Sequence, residues 1–510
     1  MDILILSLFA LPMLWLMLTR AVHLFQLESY QFPGYTRALK THKGRLLSAK
    51  TIFPLALYLI AAVFFPWVCF IGAGLFCLLN MPPKMKKPLV YTKRVKRLIC
   101  VSVILSAAIC ALGLLGGRLY FSILVYLVVL FQPWLLYVWG SICAPVEKAI
   151  SKKFINGARD MLRFHDRLIT IGITGSYGKT STKYFLHKLL SVKYNVHMTP
   201  GNFNTTLGVT RAVREGLSPA HDIFICEMGA RHVGDIKEIC DLVLPKMAII
   251  TSVGPQHLET FGSLENVLST KLELQRAVEK DGICFINTDS EPLKKALPDL
   301  GGEIIPCGEG GAFEAKNISV SSRGLSFTIT APDGEEQTFE TKLLGKANVQ
   351  NLTLAIACAY KLGISLKQLA PAVRALQSVP HRLELKPMGS ITLIDDAYNS
   401  NPEGAKMALD TLALTGGCRV LITPGLVELG QREEAENTAL GAYAAKCCDY
   451  AIIVGEHNRP AIAAGLEKES FDKTKIFPVK TIEEAFSILQ SLRERNKFAL
   501  LLNDLPDNYL

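Results

Sequence analysis

The chain has 510 residues, half of them apolar, with 13 cysteines, a net charge of +10 and a mean hydropathy of +0.28. That length admits three domains, and hydropathy this high excludes a chain that is water-facing throughout. The charge is uneven: residues 1–165 hold 19 Lys and Arg against 4 Asp and Glu (+15), leaving 36 against 41 (−5) for residues 166–510, so basicity follows membrane topology and excludes a nucleic-acid partner.

The apolar excess is at the front, in Ile3 to Thr19, Ile52 to Asn80, Leu98 to Leu115 and Leu119 to Gly140. No small-residue cleavage site follows the first run, and further apolar runs do, so a signal peptide is not expected. Basic segments 20–50 and 84–97 both belong on the cytoplasmic side, which requires 52–80 to cross an even number of times or to re-enter, as a hairpin bent near Pro66. Runs 98–115 and 119–140, joined by Gly116-Gly117-Arg118, form a second hairpin. The reading is an α-helical membrane region of about five helices over residues 1–144. It predicts a multi-pass protein of the bacterial cell membrane, in contact with membrane lipids and with its catalytic domains in the cytoplasm. Residues 145–167 read as a basic juxtamembrane linker helix. The cysteines are scattered with no C-x-x-C pair, which reads as reduced thiol.

Next comes Ile171-Gly-Ile-Thr174-Gly175-Ser176-Tyr177-Gly178-Lys179-Thr180-Ser181, an apolar strand that breaks into a glycine-bearing turn and restarts as a helix. Glycines let backbone N–H groups approach phosphate oxygens, the helix N-terminus favours the anion, Lys179 reaches the phosphates and Thr180 is a magnesium ligand candidate. The longer P-loop pattern places a further glycine at position 173, which is Ile, so the loop is the short Thr-Gly-x-x-Gly-Lys-Thr form.

From 168 to about 300, strands and helices alternate as in a doubly wound parallel sheet, with buried strands at Asp222 to Cys226 and Met247 to Thr251. Ligands collect at the carboxyl ends of such strands. Glu227 there suits Mg²⁺, and His257 follows the second strand, as either a site residue or a hydrogen-bonded loop histidine. By its own pattern Lys271, in Thr270-Lys271-Leu272-Glu273, is a solvated surface lysine. Between 303 and 343 the period and the glycine turns suggest a small antiparallel sheet, followed by an alanine-rich helix from Asn348 to Leu362. After Pro380-His381-Arg382 a third unit is expected, with strands Ile391 to Ile394, Cys418 to Thr423, Tyr450 to Val454 and Phe498 to Leu502.

The ordered set Thr174 to Thr180, Glu227-Met228-Gly229, His257-Leu258-Glu259, Thr270-Lys271-Leu272-Glu273, Asn348-Val349-Gln350-Asn351, His381-Arg382-Leu383-Glu384 and Asp395-Asp396-Ala397-Tyr398-Asn399-Ser400-Asn401-Pro402 resembles the Mur ligases, most closely the D-alanyl-D-alanine-adding MurF branch, over residues 168–510. The resemblance implies a P-loop central domain with a parallel sheet (168–383) and a Rossmann-like C-terminal domain (384–510) that closes over it. It implies an ATP-dependent amide ligase of peptidoglycan precursor synthesis: ATP phosphorylates a substrate carboxylate, and an amine attacks the acyl phosphate to give amide, ADP and phosphate.

By the same resemblance, Gly175, Ser176, Gly178, Lys179, Thr180, Ser181, Asn348, Asn351, Arg382 and Asp396 face ATP. Thr180, Glu227, His257 and Lys271, as its carbamate, hold Mg²⁺, with two ions expected. Lys179, Lys271 and His257 are the catalytic set. Asn202, Asn204, Thr205, Tyr398, Asn399 and Asn401 face substrate, with Thr205 standing where the branch usually has a second Asn. The family's UDP-sugar domain is replaced by the apolar region, so the acceptor is a UDP-linked or a lipid-linked peptide precursor, and the donor is an amino acid or a dipeptide such as D-Ala-D-Ala. A P-loop ATPase driving a membrane transporter is the reading from another class. Against it, no Walker-B strand ending in Asp-Glu appears.

Overall fold

The computed structural model describes residues 2–41, 47–81, 87–256, 258–278, 280–398, 400–427 and 429–503. Its packing divides the chain into two units, Met1–Lys153 and Phe154–Leu510.

The first unit is helical. Helix Asp2–Leu27 is followed by a short amphipathic helix, Phe32–Thr41. Ala49–Phe64 and Cys69–Leu79 then form the expected hairpin bent at Phe65-Pro66, with the Tyr58 hydroxyl donating to the Leu6 carbonyl. Lys93–Leu112 and Gly117–Arg163 run antiparallel from a 3₁₀ turn at Gly113–Gly116. Arg97 clasps Glu147 through two hydrogen bonds of 2.6 and 2.7 Å, and Ser106 reaches Gln132. Where the sequence suggests separate 119–140 and 145–167 helices, one 47-residue helix runs through Pro133 and Pro145.

The expected multi-pass membrane placement with about five helices is overturned. Among the described residues two helical stretches, Ile3–Leu27 and Lys93–Arg163, are long and apolar enough to cross a membrane. The arms of the 49–79 hairpin have 16 and 11 residues. At ~1.5 Å per residue they reach roughly 24 and 17 Å, short of a hydrocarbon core of about 30 Å.

In the second unit a six-stranded, all-parallel sheet is built from β1 (Ile169–Thr174), β2 (Val196–Met198), β3 (Ile223–Glu227), β4 (Met247–Ile250), β5 (Ile283–Asn287) and β6 (Glu303–Cys307) in the order β2-β3-β1-β4-β5-β6. Its strands are apolar on both faces because helices cover both, and they read as continuous Ile/Val/Phe runs. After β1 the chain goes to one side for β2 and β3 and then crosses to β4, so the carboxyl end of β1 is the topological switch point where ligands bind in such sheets.

The small antiparallel sheet contains β7 (Glu314–Ser321), β8 (Gly324–Thr330) and β9 (Glu336–Thr341). Residues 303–307, expected within it, instead form the edge of the parallel sheet. An edge strand has one open side, and most of these residues are only partly buried.

The last sheet, in the order β10-β11-β15-β12-β13-β14, comprises β10 (Glu384–Met388), β11 (Ile391–Asp396), β12 (Cys418–Thr423), β13 (Tyr450–Val454), β14 (Ile476–Val479) and β15 (Lys497–Leu502). All pairs are parallel except β10 with β11.

At the carboxyl ends of this sheet three buried asparagines shape the loops. Asn437 accepts from the Leu426 N–H and donates to the Leu426 and Glu433 carbonyls. Asn458 donates to the carbonyls of Pro424 and Leu426. Asn503 donates to the Gly425 carbonyl and accepts from the Ser400 N–H. Replacing Asn437 by Ala strands buried backbone groups, at a cost of about 1–3 kcal/mol each. Urea unfolding of Asn437→Ala is expected to give a lower midpoint with an unchanged slope.

Candidate active site

The phosphate loop leaves β1 at the switch point. Gly175 (φ +149°) passes so close to the next strand's exit that a Cβ would strike Thr251 Oγ1, and Gly178 (φ +81°) turns the chain into helix Lys179–Leu190. Ser176 N–H donates to the Ser252 carbonyl at 2.7 Å, Ser176 Oγ bonds the Gly254 backbone, and Tyr177 OH donates to the Pro255 carbonyl. The loop is thus held by the chain leaving β4. Ser181 and Thr182 are buried in the first helical turn, and Thr182 donates to Asn351 Oδ1 at 3.3 Å.

Lys179 Nζ donates to the Gly175 and Ser176 carbonyls at 2.7 and 3.0 Å. Burial brings its pKa down to about 8, with Glu227 opposing that shift and Arg382 adding to it.

Glu227, at the end of β3, is 1% exposed. Its Oε1 accepts from Thr180 Oγ1 and from Asn204 Nδ2, both at 3.2 Å. Its Oε2 lies 2.9 Å from Lys183 Nζ, an ion pair whose direction leaves that oxygen without a hydrogen-bond donor. Burial pushes the Glu227 pKa up, but Lys183 and Lys179 outweigh it and hold the carboxyl below its usual range. A buried ionised carboxylate beside a hydroxyl, with a lone pair unspent, fits an oxygen-preferring divalent cation.

Lys271, on helix Leu264–Val278, is 2% exposed, so its reading as a surface residue is corrected: it lies on the inward stripe with Val267, Leu274 and Gln275. Burial and the neighbouring Lys179 lower its pKa to about 7, against Asp235 and Glu273. The buried amine is therefore substantially neutral near pH 7, the form that reacts with carbon dioxide.

The substrate-loop residues divide. Asn204 joins Glu227, whereas Asn202 is exposed and Thr205 caps helix Thr206–Gly216 by accepting from the Gly208 N–H. Asn348 donates to the Leu344 carbonyl and lies next to Asn351, which packs against Gly178 behind the phosphate loop.

From the segment entering the last sheet, Arg382 Nη2 reaches Thr180 Oγ1 at 3.4 Å, with its guanidinium 4.9 Å above the Tyr398 ring. Asp396 accepts from the Leu383 N–H, and burial raises its pKa to about 6. His381, Glu384, Lys386 and Asp395 form an ion cluster beside it, with Lys386 Nζ 2.6 Å from Asp395 and 3.0 Å from Glu384. Asn401 caps helix Pro402–Ala413. His257 and Asn399 lie outside the described residues.

Lys183 was not anticipated. Its signal was present in the sequence: it stands four residues after Lys179, one helical turn along the same face.

A phosphate loop at the switch point of a parallel sheet, with an arginine reaching it from a second α/β sheet, defines a two-domain nucleotide-dependent enzyme class. Residues 173–359 match the Mur ligase middle domain and residues 381–502 the Mur ligase glutamate ligase domain. The chain belongs to the Mur ligase family. It is 35% identical over 275 residues to the UDP-N-acetylmuramoyl-tripeptide–D-alanyl-D-alanine ligase of Bacillus subtilis, covering 53% of this chain and 59% of that one. Against the Escherichia coli protein of the same name it is 31% identical over 313 residues, covering 60% and 69%. Among solved structures, MurF from Acinetobacter baumannii superposes with a TM-score of 0.62 at 27% identity, covering 69% of this chain and 77% of that one. MurF from Thermotoga maritima, solved with ADP, shares the fold at a TM-score of 0.63 and 24% identity, covering 69% and 80%.

Between pH 7 and about 10.5 the unfolded chain carries a proton on Lys271 that the folded chain lacks, so this residue makes stability rise with pH across that window. Lys271→Met is expected to flatten the rise. Urea midpoints of both proteins at pH 7 and 9 check it: the wild type gains on the variant at the higher pH.

Proposed function

We propose that this chain is an ATP-dependent amide ligase that joins D-alanyl-D-alanine to the carboxylate of a UDP-N-acetylmuramoyl-tripeptide, the reaction for which its Bacillus subtilis and Escherichia coli relatives are named. One observation carries the reading. The buried Glu227 carboxylate is bonded to Thr180 on the phosphate side and to Asn204 on the opposite loop, so a single group joins the nucleotide and acceptor elements.

In this reading the domains are residues 168–383 and 384–510. The N–H groups of Gly175 and Gly178 donate to phosphate oxygens, together with Lys179, which leaves its carbonyl partners to do so; Ser176, whose N–H is held by the Ser252 carbonyl, shapes the loop from behind, and Ser181 follows in the same turn. Asn348 and Asn351 face the adenine, Asp396 the ribose, and Arg382, which reaches Thr180 Oγ1, the phosphates or ribose. The ADP in the Thermotoga maritima structure supports a nucleotide here. Thr180, Glu227 and Lys271, as its carbamate, hold magnesium, with His257 joining them by the family resemblance. The metal's contribution is to neutralise phosphate charge.

Lys271 becomes an anion when its neutral amine adds to carbon dioxide and the resulting carbamic acid loses a proton. Asn202, Asn204 and Thr205 present the acceptor, while Tyr398, Asn399 and Asn401 line the cleft from the closing domain. The γ-phosphoryl group passes to the acceptor carboxylate. The dipeptide amine then attacks the acyl phosphate, expelling phosphate and losing its proton. Positioning and charge compensation carry the catalysis, with no protein nucleophile required.

Full-length protein with ATP, Mg²⁺, UDP-N-acetylmuramoyl-tripeptide and D-alanyl-D-alanine is expected to give, by mass spectrometry, the acceptor plus dipeptide less water, with one ADP per product. No product under these conditions refutes the assignment. Lys179→Ala is expected to lower kcat/KM at least about 100-fold, because the transferring phosphoryl loses its cation. A loss under tenfold argues against the phosphate-loop role.

Within the same assignment, Lys271→Ala is expected to regain part of its lost turnover when short carboxylic acids such as formate or acetate are supplied. Initial rates with and without the added acid check it, and a variant as active as wild type rules the carbamate out.

A further inference from the structure

We propose that Lys183 is a positioning residue that clamps the 199–205 loop to the Glu227 carboxylate, so that the acceptor side of the site is built onto its phosphate side. The link to the acceptor rests on the ligase reading above; the clamp itself rests on geometry.

Lys183 is a lysine with no solvent exposure, deep in helix Lys179–Leu190. Burying an ammonium is costly unless it is paired and hydrogen-bonded. Its Nζ meets both requirements with groups from two different segments: Glu227 Oε2 at 2.9 Å and the Gly201 carbonyl at 2.6 Å.

Gly201 lies in a stretch without regular secondary structure between β2 and helix Thr206–Gly216. The stretch returns to Glu227 twice more, once at its backbone and once at its carboxylate. Glu227 N–H donates to Thr199 Oγ1 at 3.1 Å, and Asn204 Nδ2 donates to Glu227 Oε1 at 3.2 Å. Asn204 is itself fixed, its carbonyl accepting from the Gly229 N–H at 2.8 Å. Of the attachments at residues 199, 201 and 204, the middle one is charge-assisted and made by a rigidly packed helix. Gly201 is itself exposed, and its carbonyl is held by Lys183.

Removing the ammonium therefore has two separable effects. The loop between Thr199 and Asn204 loses its central anchor, and Glu227 loses the cation on Oε2 while keeping Thr180 and Asn204 on Oε1. The first raises the acceptor's KM, since the loop must be ordered at the expense of binding energy. Nucleotide contacts from the Gly175–Thr180 backbone do not pass through Lys183, and Glu227 keeps Thr180 and Asn204 on Oε1 with Lys179 still lowering its pKa, so the KM for ATP changes less than the acceptor's.

Two measurements on full-length Lys183→Met decide the matter. In substrate-free protein, hydrogen exchange of the 201–205 amides is expected to quicken at least about tenfold, with β1 and β3 as protected as in wild type. In turnover, the KM for UDP-N-acetylmuramoyl-tripeptide is expected to rise at least about tenfold and that for ATP less than threefold. Unchanged exchange at 201–205 overturns the clamp, and equal rises in both KM values overturn its acceptor-side assignment.

If Lys183→Met does not accumulate folded, Lys183→Met/Glu227→Gln removes the orphaned carboxylate, and the same exchange experiment is read against Glu227→Gln alone. A wild-type protein that forms no amide refutes the ligase reading, while exchange, which needs no substrate, still decides the clamp.

Discussion

Everything around the phosphate loop depends on keeping one carboxylate ionised where water does not reach. Glu227 terminates a strand buried on both faces, and a lone carboxylate there would take up a proton. Two lysines from successive turns of one helix prevent this, Lys183 by direct contact and Lys179 through space. The arrangement constrains the backbone in return. The Gly175–Gly178 turn sets the N-terminus of helix Lys179–Leu190 at the carboxyl end of β1, and Lys183, one turn along, ties the helix to Glu227.

The same charges account for Lys271. Lys179 stands close enough to it that a second ammonium is disfavoured, and burial disfavours it further. An amine whose pKa is brought down to about 7 in this way is available as a neutral nucleophile. Arg382 completes the set from the other sheet, so the site gathers cations from two domains around one buried anion, a balance suited to a ligand that arrives with several negative charges.

Much of this was legible in the sequence because local chemistry fixes it. The Gly175-to-Thr180 turn admits few conformations, the apolar runs of β1, β3 and β4 have no exposed face to interrupt them, and β12 and β13 have the bounds read from their hydrophobic runs. What was missed depends on partners distant in the chain. Lys271 reads as a surface residue until the sheet that buries it is assembled, and Lys183 has no meaning without Glu227, 44 positions later. Edge strands β10 and β14 were passed over because each contains a proline, tolerated only at edges and bulges. Thr205 and Asn401 were read as substrate ligands when each also stands one residue before a helix, the capping position. The number of membrane crossings was overdrawn because hydropathy alone does not report helix length.

The position of β15 has a further consequence, for the order of assembly. It is the last strand of its sheet to be synthesised, yet it occupies an interior place, between β11 and β12. Until residues 497–502 emerge, β11 and β12 have no shared neighbour, and until Asn503 follows, nothing ties the Ser400 loop to Gly425. Those two loops thus take their joint shape only once residues 497–503 have been made. A ribosome stalled before residue 497 holds a finished phosphate loop and a last sheet split at its centre.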